Sequence, residues 1–334
     1  MLIQGKEYRS LWREKDIVYF IDQTKLPFEF SIFKSSNYRE TIEAIKKMIV
    51  RGAPAIGVAG AYAYVQAAYE CKFESNLLRS AADEIKAARP TAVDLMNIVL
   101  RMKSTRQDPD SLEKESEKIA DEIVEACRKI SENGSDLIKV NDTILTHCHT
   151  GAVAAVDYGT ALGVIKQAFK QDKNIFVYVD ESRPRMQGRL TSWELLEQGV
   201  PHKVIVDGVA GSLMRSGKIN IVIVGADRIC DNGDFANKIG TYQVAVLAKE
   251  NKVPFYVAAP LTTFDFAIKS GDDISIEERD ENEVLSIRDQ RVYPECSHAY
   301  NPAFDVTPHD YVAGYITEYG VFKNMQELKN KLKK

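Results

Sequence analysis

Apolar positions in the first part of the chain recur with helical spacing. Over Tyr38–Val50, Ile42, Ile45 and Ile49 share a stripe while Arg39, Glu43 and Lys46 lie off it, the pattern of an amphipathic helix. Ser111–Ile130 repeats it: Leu112, Ile119, Ile123, Cys127 and Ile130 align, with Glu113, Lys114, Glu117 and Glu122 turned to water. Cys127 therefore reads as a core thiol. Between these helices, Gly52–Tyr69 is uncharged for eighteen residues. It is rich in Ala and holds Pro54, Gly57, Gly60 and Gln66, so it predicts a closely packed internal helix, not a membrane span. Pro54 suits its first turn, where a missing N–H costs nothing. Upstream, the β-branched and aromatic run Ile17–Ile21 predicts a strand ended by the turn Asp22-Gln23-Thr24.

Beyond Asn133-Gly134, which the pattern places at the end of the second helix, short β-rich runs alternate with helical ones. The strand-like runs are Asp142–Thr146, Asn174–Asp180, Lys203–Asp207, Ile219–Gly225 and Phe255–Ala259. Helical spacing covers Gly151–Lys170, Thr191–Gln198, Val209–Ser216 and Lys238–Lys249. This alternation predicts an α/β fold with a doubly wound, mainly parallel sheet. Two domains are expected: a smaller β/helical one at 1–133 and a larger one at 134–334.

Charge and cysteine content narrow the function. The net charge is −4, and the 44 basic residues form no block, so nothing points to a nucleic-acid partner. Five scattered cysteines without a CxxC spacing indicate neither a disulfide framework nor a structural zinc site, and they suit a reducing cytoplasm. Met1–Asp22 lacks the basic start and apolar core of a signal peptide. No membrane partner is expected.

Open parallel sheets place ligands at the carboxyl ends of their strands. Two strand exits carry chemistry there: Thr146-His147-Cys148-His149-Thr150-Gly151 and Gly225-Ala226-Asp227-Arg228. If a helix begins near Gly151, its dipole lowers the Cys148 thiol pKa, whereas apolar enclosure raises it. A buried structural thiol is the plain alternative. Asp227 follows the most hydrophobic strand, so partial desolvation is expected to raise its pKa into the range of a useful acid, unless it only caps a turn. His147, Cys148 and His149 cannot converge on one metal ion, because neighbours in an extended segment point to opposite faces. Neither G-x-G-x-x-G nor G-x-x-x-x-G-K-[ST] occurs, so no nucleotide cofactor is expected. Arg51-Gly52-Ala53 and Asn237-Lys238 precede helical runs, and Arg89 stands before Pro90-Thr91. Cations at helix starts make phosphate cradles, though any one alone is more often a solvated charge.

Long ordered matches carry a resemblance to a known family. They include Ile21–Pro27, Val50-Arg51-Gly52-Ala53-Pro54-Ala55-Ile56-Gly57, Arg89-Pro90-Thr91-Ala92-Val93, Thr146-His147-Cys148, and Asp180-Glu181-Ser182-Arg183-Pro184 with Gln187-Gly188. Val224–Arg228, Asn232-Gly233-Asp234, Ala236–Tyr242, Phe255–Pro260 and Asn301–Pro308 complete the set. From about Ile21 to Phe322 the chain resembles the methylthioribose-1-phosphate isomerases. Ribose-1,5-bisphosphate isomerases and the regulatory subunits of the initiation factor 2B exchange complex belong to the same larger group. The resemblance implies a Rossmann-like catalytic domain beside a small N-terminal one, a homodimer, a sugar-phosphate substrate, and neither metal nor cofactor. It implies Asp227 as acid, Cys148 as catalytic thiol, and substrate contacts from Arg51, Gly52, Ala53, Arg89, Gln187, Asn237 and Lys238. His149 and Asp94 each stand where the family pattern has Asn. The readings left open are the bisphosphate isomerase, which needs a second phosphate site, and a non-catalytic exchange-factor-like scaffold.

Overall fold

The computed structural model describes residues 1–89, 93–288 and 290–333. Its main sheet has seven strands, in the order Gly320–Phe322, Gly314–Thr317, Phe255–Ala258, Ile221–Val224, Thr143–Thr146, Phe176–Asp180 and His202–Ile205. All neighbours pair parallel except Gly320–Phe322, which turns back antiparallel on Gly314–Thr317. Helices Ala161–Lys170, Gly188–Glu197, Val209–Arg215 and Thr241–Glu250 connect the strands. Ile221–Val224 is buried throughout, as a central strand covered on both faces requires. This is the α/β, mainly parallel architecture expected from the alternation of runs, and the Rossmann-like form that the resemblance implied.

The first part of the chain adds a three-stranded antiparallel sheet, Leu11–Glu14, Ile17–Ile21 and Ile32–Ser35. Helix Ala53–Glu70 lies among Tyr38–Lys46, Ser75–Ala87, Val93–Ser104 and Pro109–Ser135. Sixteen of its residues are buried, which accounts for a run without charge that is nonetheless no membrane span.

Several boundaries moved. The first helix stops at Lys46, four residues before Val50, because Met48 takes a left-handed φ of 58°. The long helix continues through Asn133-Gly134 to Ser135. Gly134 is no stop there; its missing side chain admits Val164 and Ile316, either of which a Cβ would meet within 3 Å. The division proposed at 133/134 therefore runs through the last turn of a helix that packs on Ala53–Glu70 and also on Ala161–Lys170. Gly151–Lys170 is not one helix: a 3₁₀ turn at Ala152–Ala154 precedes the helix Ala161–Lys170.

A second sheet, which the alternation of runs did not reveal, covers the carboxyl ends of the first. Its order is Phe264–Asp265, Arg228–Cys230, Phe235–Lys238 and Phe304–Thr307. Lys238 thus ends a strand instead of opening a helix; the helix starts at Thr241.

Candidate active site

The chain leaves the central strand Thr143–Thr146 toward Phe176–Asp180 and His202–Ile205. It then returns to the opposite side of that strand as Ile221–Val224. Strand order reverses between these two neighbours, and a crevice opens at their carboxyl ends wherever that happens. Cys148 leaves one of the two strands and Asp227 the other, and both line the same cavity.

Cys148 is held in a left-handed conformation, φ 68°, which a side chain with a Cβ adopts only when its surroundings impose it. Its N–H donates to Ser182 Oγ (2.7 Å), and its carbonyl accepts from Thr191 Oγ1 (2.9 Å). The anticipated helix dipole does not act on the thiol. The amides of Ala152 and Val153 donate to the Glu194 carboxylate, each at 3.0 Å. Burial prevails: it pushes the Cys148 thiol up to about 11, against the pull of Lys238 and Arg51.

Asp227 immediately precedes the strand Arg228–Cys230 of the second sheet. Its N–H donates to the Ala236 carbonyl (2.9 Å) as Arg228–Cys230 pairs antiparallel with Phe235–Lys238. That hairpin brings Asn237 and Lys238 into the cavity wall with Asp227. Burial raises the Asp227 pKa, opposed by Lys238 and Arg89. The Lys238 ammonium donates to the Ala303 carbonyl (2.8 Å) and lies 4.5 Å from the centre of the Phe304 ring. Burial lowers its pKa, while Cys148 and Asp227 act the other way. Asn237 Nδ2 donates to Thr241 Oγ1 (3.0 Å).

Arg51, Gly52 and Ala53 meet the cavity at the start of helix Ala53–Glu70, where first-turn amides have no partner within the helix. Gly52 has φ 94°, and a Cβ on it would sit 2.2 Å from the Ala154 carbonyl; only glycine fits this turn. Burial, with Arg185 and Arg189 nearby, lowers the Arg51 pKa to about 9. Arg89 lines the cavity 3.6 Å from Glu277; the Pro90-Thr91-Ala92 that follows lies outside the described residues. Gln187 stands just before helix Gly188–Glu197. Its Oε1 is buried without a partner, as are Arg51 Nε, Gln23 Oε1 and Thr263 Oγ1. All four residues line the cavity, and a polar ligand is what would satisfy such atoms.

Every anticipated site residue reaches this one cavity. Sequence reasoning missed Gln23, Arg185 and Arg279, which also line it. Arg185 follows Asp180-Glu181-Ser182-Arg183-Pro184 in the loop after Phe176–Asp180, so the strand-end rule could have found it. The turn Asn232-Gly233 was a hairpin signal and could have revealed the fold-back of Asn237 and Lys238. Nothing local marks Arg279, which arrives from an irregular stretch distant in sequence.

The two histidines beside Cys148 take different partners, because the left-handed turn at Cys148 breaks the extended run between them. His147 bonds Asp180 and the Ile239 carbonyl, and His149 bonds Thr191 Oγ1 (3.1 Å). Donor atoms of His147, Asp180 and Asp207 lie within 4.8 Å of one another. Both nitrogens of His147 are engaged, however, and the two Asp207 oxygens accept from the amides of Ser182 and Arg183 at 2.8 Å. The trio forms a hydrogen-bond network, not an open coordination shell.

Glu194 anchors the floor of the thiol loop. It takes the two amides above, the Lys166 ammonium at 3.0 Å, and lies 3.2 Å from His149 Nε2. Burial alone would raise its pKa; Lys166, His149 and the Val153 amide instead hold it far below the usual carboxylate range. Glu194→Ala leaves the buried Lys166 unpaired and is expected to cost about 3–5 kcal/mol. A depressed carboxylate stabilises the fold above its unfolded pKa, about 4.3, and that contribution fades as pH falls. Thermal unfolding of both proteins at about pH 7 and about pH 3 checks this: the gap narrows in acid.

The chain is similar to known proteins along nearly its whole length. Residues 49–324 match the initiation factor 2 subunit family. The methylthioribose-1-phosphate isomerase of Thermoanaerobacter pseudethanolicus is 50% identical over 333 residues, covering 95% of this chain and 96% of that protein. That of Caldicellulosiruptor saccharolyticus is 48% identical, covering 96% and 98%. Among solved structures, 5-methylthioribose 1-phosphate isomerase from Pyrococcus horikoshii is 40% identical with a TM-score of 0.89, covering 98% of this chain and 96% of that one. The translation initiation factor eIF-2B subunit delta from A. fulgidus is 41% identical with a TM-score of 0.86, covering 98% and 100%. The chain belongs to the initiation factor 2 subunit family and, within it, to the methylthioribose-1-phosphate isomerases.

Proposed function

We propose that this protein is an aldose–ketose isomerase converting 5-methylthioribose 1-phosphate to 5-methylthioribulose 1-phosphate, a step of methionine salvage. The observation that carries the reading is the meeting of Asp227 and Cys148 in one cavity with the cations Arg51, Arg89 and Lys238. A scaffold subunit has no use for that convergence.

Phosphate on the anomeric oxygen keeps the sugar from opening spontaneously to an aldehyde. Asp227, whose pKa burial raises, donates a proton to the ring oxygen as the bond from that oxygen to carbon 1 breaks. Carbon 1 becomes oxocarbenium-like. Hydride then moves from carbon 2 to carbon 1, and the carbon 2 hydroxyl becomes the ketone by releasing its proton to the Asp227 carboxylate. This route needs no base at carbon 2, which suits a thiol with a pKa pushed up to about 11. Cys148 flanks the reacting carbons as a neutral, water-excluding group. Arg51, Arg89 and Lys238 hold the phosphate, with Gly52 and Ala53 offering backbone at a helix start. Gln187 and Asn237 orient hydroxyls.

The homodimer and the cytoplasmic setting belong to this proposal. They rest on the resemblance and on five cysteines that all stand free. Among the described residues, no helix is long and apolar enough to cross a membrane.

The test offers methylthioribose 1-phosphate, 5-deoxyribose 1-phosphate and ribose 1,5-bisphosphate in parallel, in D₂O, and follows ketose formation. Fastest turnover of the first, with carbon 2 hydrogen retained on carbon 1, is expected. Preference for the bisphosphate would reassign the substrate, deuterium at carbon 1 would replace the hydride step by an enediol, and no ketose at all would leave the scaffold reading.

A further inference from the structure

His147 is fully buried, and both of its ring nitrogens face acceptors. Nδ1 lies 3.0 Å from Asp180 Oδ2, and Nε2 lies 2.9 Å from the Ile239 carbonyl. A carbonyl oxygen cannot donate, so Nε2 carries a proton. The second proton of the pair then sits either on Nδ1, giving imidazolium and carboxylate, or on Asp180, giving two neutral groups.

Burial raises the Asp180 pKa, and the hydrogen bond and charge of His147 oppose it, so the groups that face the ring place the proton. Three carboxylates face the ring: Asp180, Asp207 and Asp305. Asp207 accepts from the Ser182 and Arg183 amides. Asp305 accepts from the amides of Gly240 (2.7 Å) and Tyr242 (3.1 Å). Burial raises the Asp305 pKa, while these two amides and the His147 ring oppose that rise. Burial on its own pulls the His147 pKa down; the hydrogen bond and charge of Asp180, with Asp207 behind it, more than reverse this.

The position of the ring gives this charge a task. His147 immediately precedes Cys148, and Ile239 immediately follows Lys238. The ring fits against Gly240, where φ is 102° and a Cβ would lie 2.9 Å from the imidazole. Its other partner, Asp180, opens the loop whose Ser182 Oγ holds the Cys148 N–H. Three loops that wall the cavity therefore meet on one side chain.

We infer that His147 is a positioning residue, a doubly protonated clamp that donates from Nδ1 to Asp180 and from Nε2 to Ile239. In this way it sets the spacing between the Cys148 thiol and the Lys238 ammonium. The inference rests on the proposed isomerase reading for its catalytic consequence, and on the hydrogen bonds and the carboxylates facing the ring for the ring's state.

Two measurements on the full-length protein test it. Nitrogen-15 NMR of histidine-labelled wild type, assigned with His147→Gln, reports the ring directly. Two protonated-type nitrogens that persist from about pH 6 to about pH 8 are expected. One unprotonated-type nitrogen across that range would overturn the clamp. In steady-state kinetics, His147→Gln retains a donor toward one side only. It is expected to lower kcat by about 10–100-fold and to raise KM, because small misplacements of catalytic groups carry penalties of this order. A folded His147→Gln with wild-type kcat and KM would also overturn it. Wild type that turns over methylthioribose 1-phosphate with a neutral His147 removes the clamp and leaves the isomerase reading intact. Wild type with the charged ring but no turnover does the reverse.

Discussion

Asp227→Asn is expected to reduce ketose formation by about 10³-fold while binding of methylthioribose 1-phosphate stays close to wild type. The substituted amide fills the same space beside Lys238 and Arg89 and keeps its N–H bond to Ala236. It has no proton to give the ring oxygen. Initial rates and calorimetric titration with the sugar phosphate separate the two effects; turnover near wild type would remove Asp227 from the mechanism. The same substitution bears on stability, with a definite sign. Burial raises the folded pKa of Asp227, so the folded protein holds this proton at pH values where the unfolded chain, with a pKa of about 3.9, has released it. Stability from this group therefore falls as pH rises through that window. Asp227→Asn is accordingly expected to melt higher than wild type at neutral pH and no higher near about pH 3. An acid held ready by desolvation costs stability, and neutralising it should return that stability while removing the chemistry.

Cys148→Ser is expected to lose about 10²–10³-fold in kcat, with a smaller change in KM. The hydroxyl is shorter-reaching and more strongly hydrated than the thiol, and it admits water at the carbons that exchange hydrogen. The state of the thiol can be read independently. With burial pushing its pKa up to about 11, alkylation by iodoacetamide in the free enzyme should be slow at neutral pH. Its rate should climb about tenfold per pH unit toward that value. Rapid alkylation at neutral pH would mean a thiolate, and would return the enediol route with Cys148 as base. Cys148→Ser with most of its activity would reduce the thiol to packing.

The main sheet was legible because a central parallel strand has to be apolar along its whole length, as Ile221–Val224 is. Ala53–Glu70 was legible for a similar reason: helices surround it, so charge is excluded from every face. The boundaries that moved were set by contacts absent from any local window. Gly134 looked like a helix stop and is instead the point where Val164 and Ile316 approach the backbone. Gly151 looked like the start of a helix able to activate a thiol. The carboxylate of Glu194, forty-three positions downstream, occupies the amides that would have done so.

The chain by itself determined the main sheet and marked Cys148 and Asp227 as candidates, because apolar periodicity and strand-end position are local properties that survive without coordinates. Tertiary structure alone decided that Asp227, Cys148 and Lys238 share one cavity. The Arg228–Lys238 hairpin and the reversal of strand order accomplish this, and both depend on pairing between distant segments. Tertiary structure also decided the direction of the pKa shifts at the site, since the raised values of the thiol and the carboxyl reflect how much water the fold excludes. Solvent exclusion is a property of the assembled walls, and no single segment of the sequence contains it.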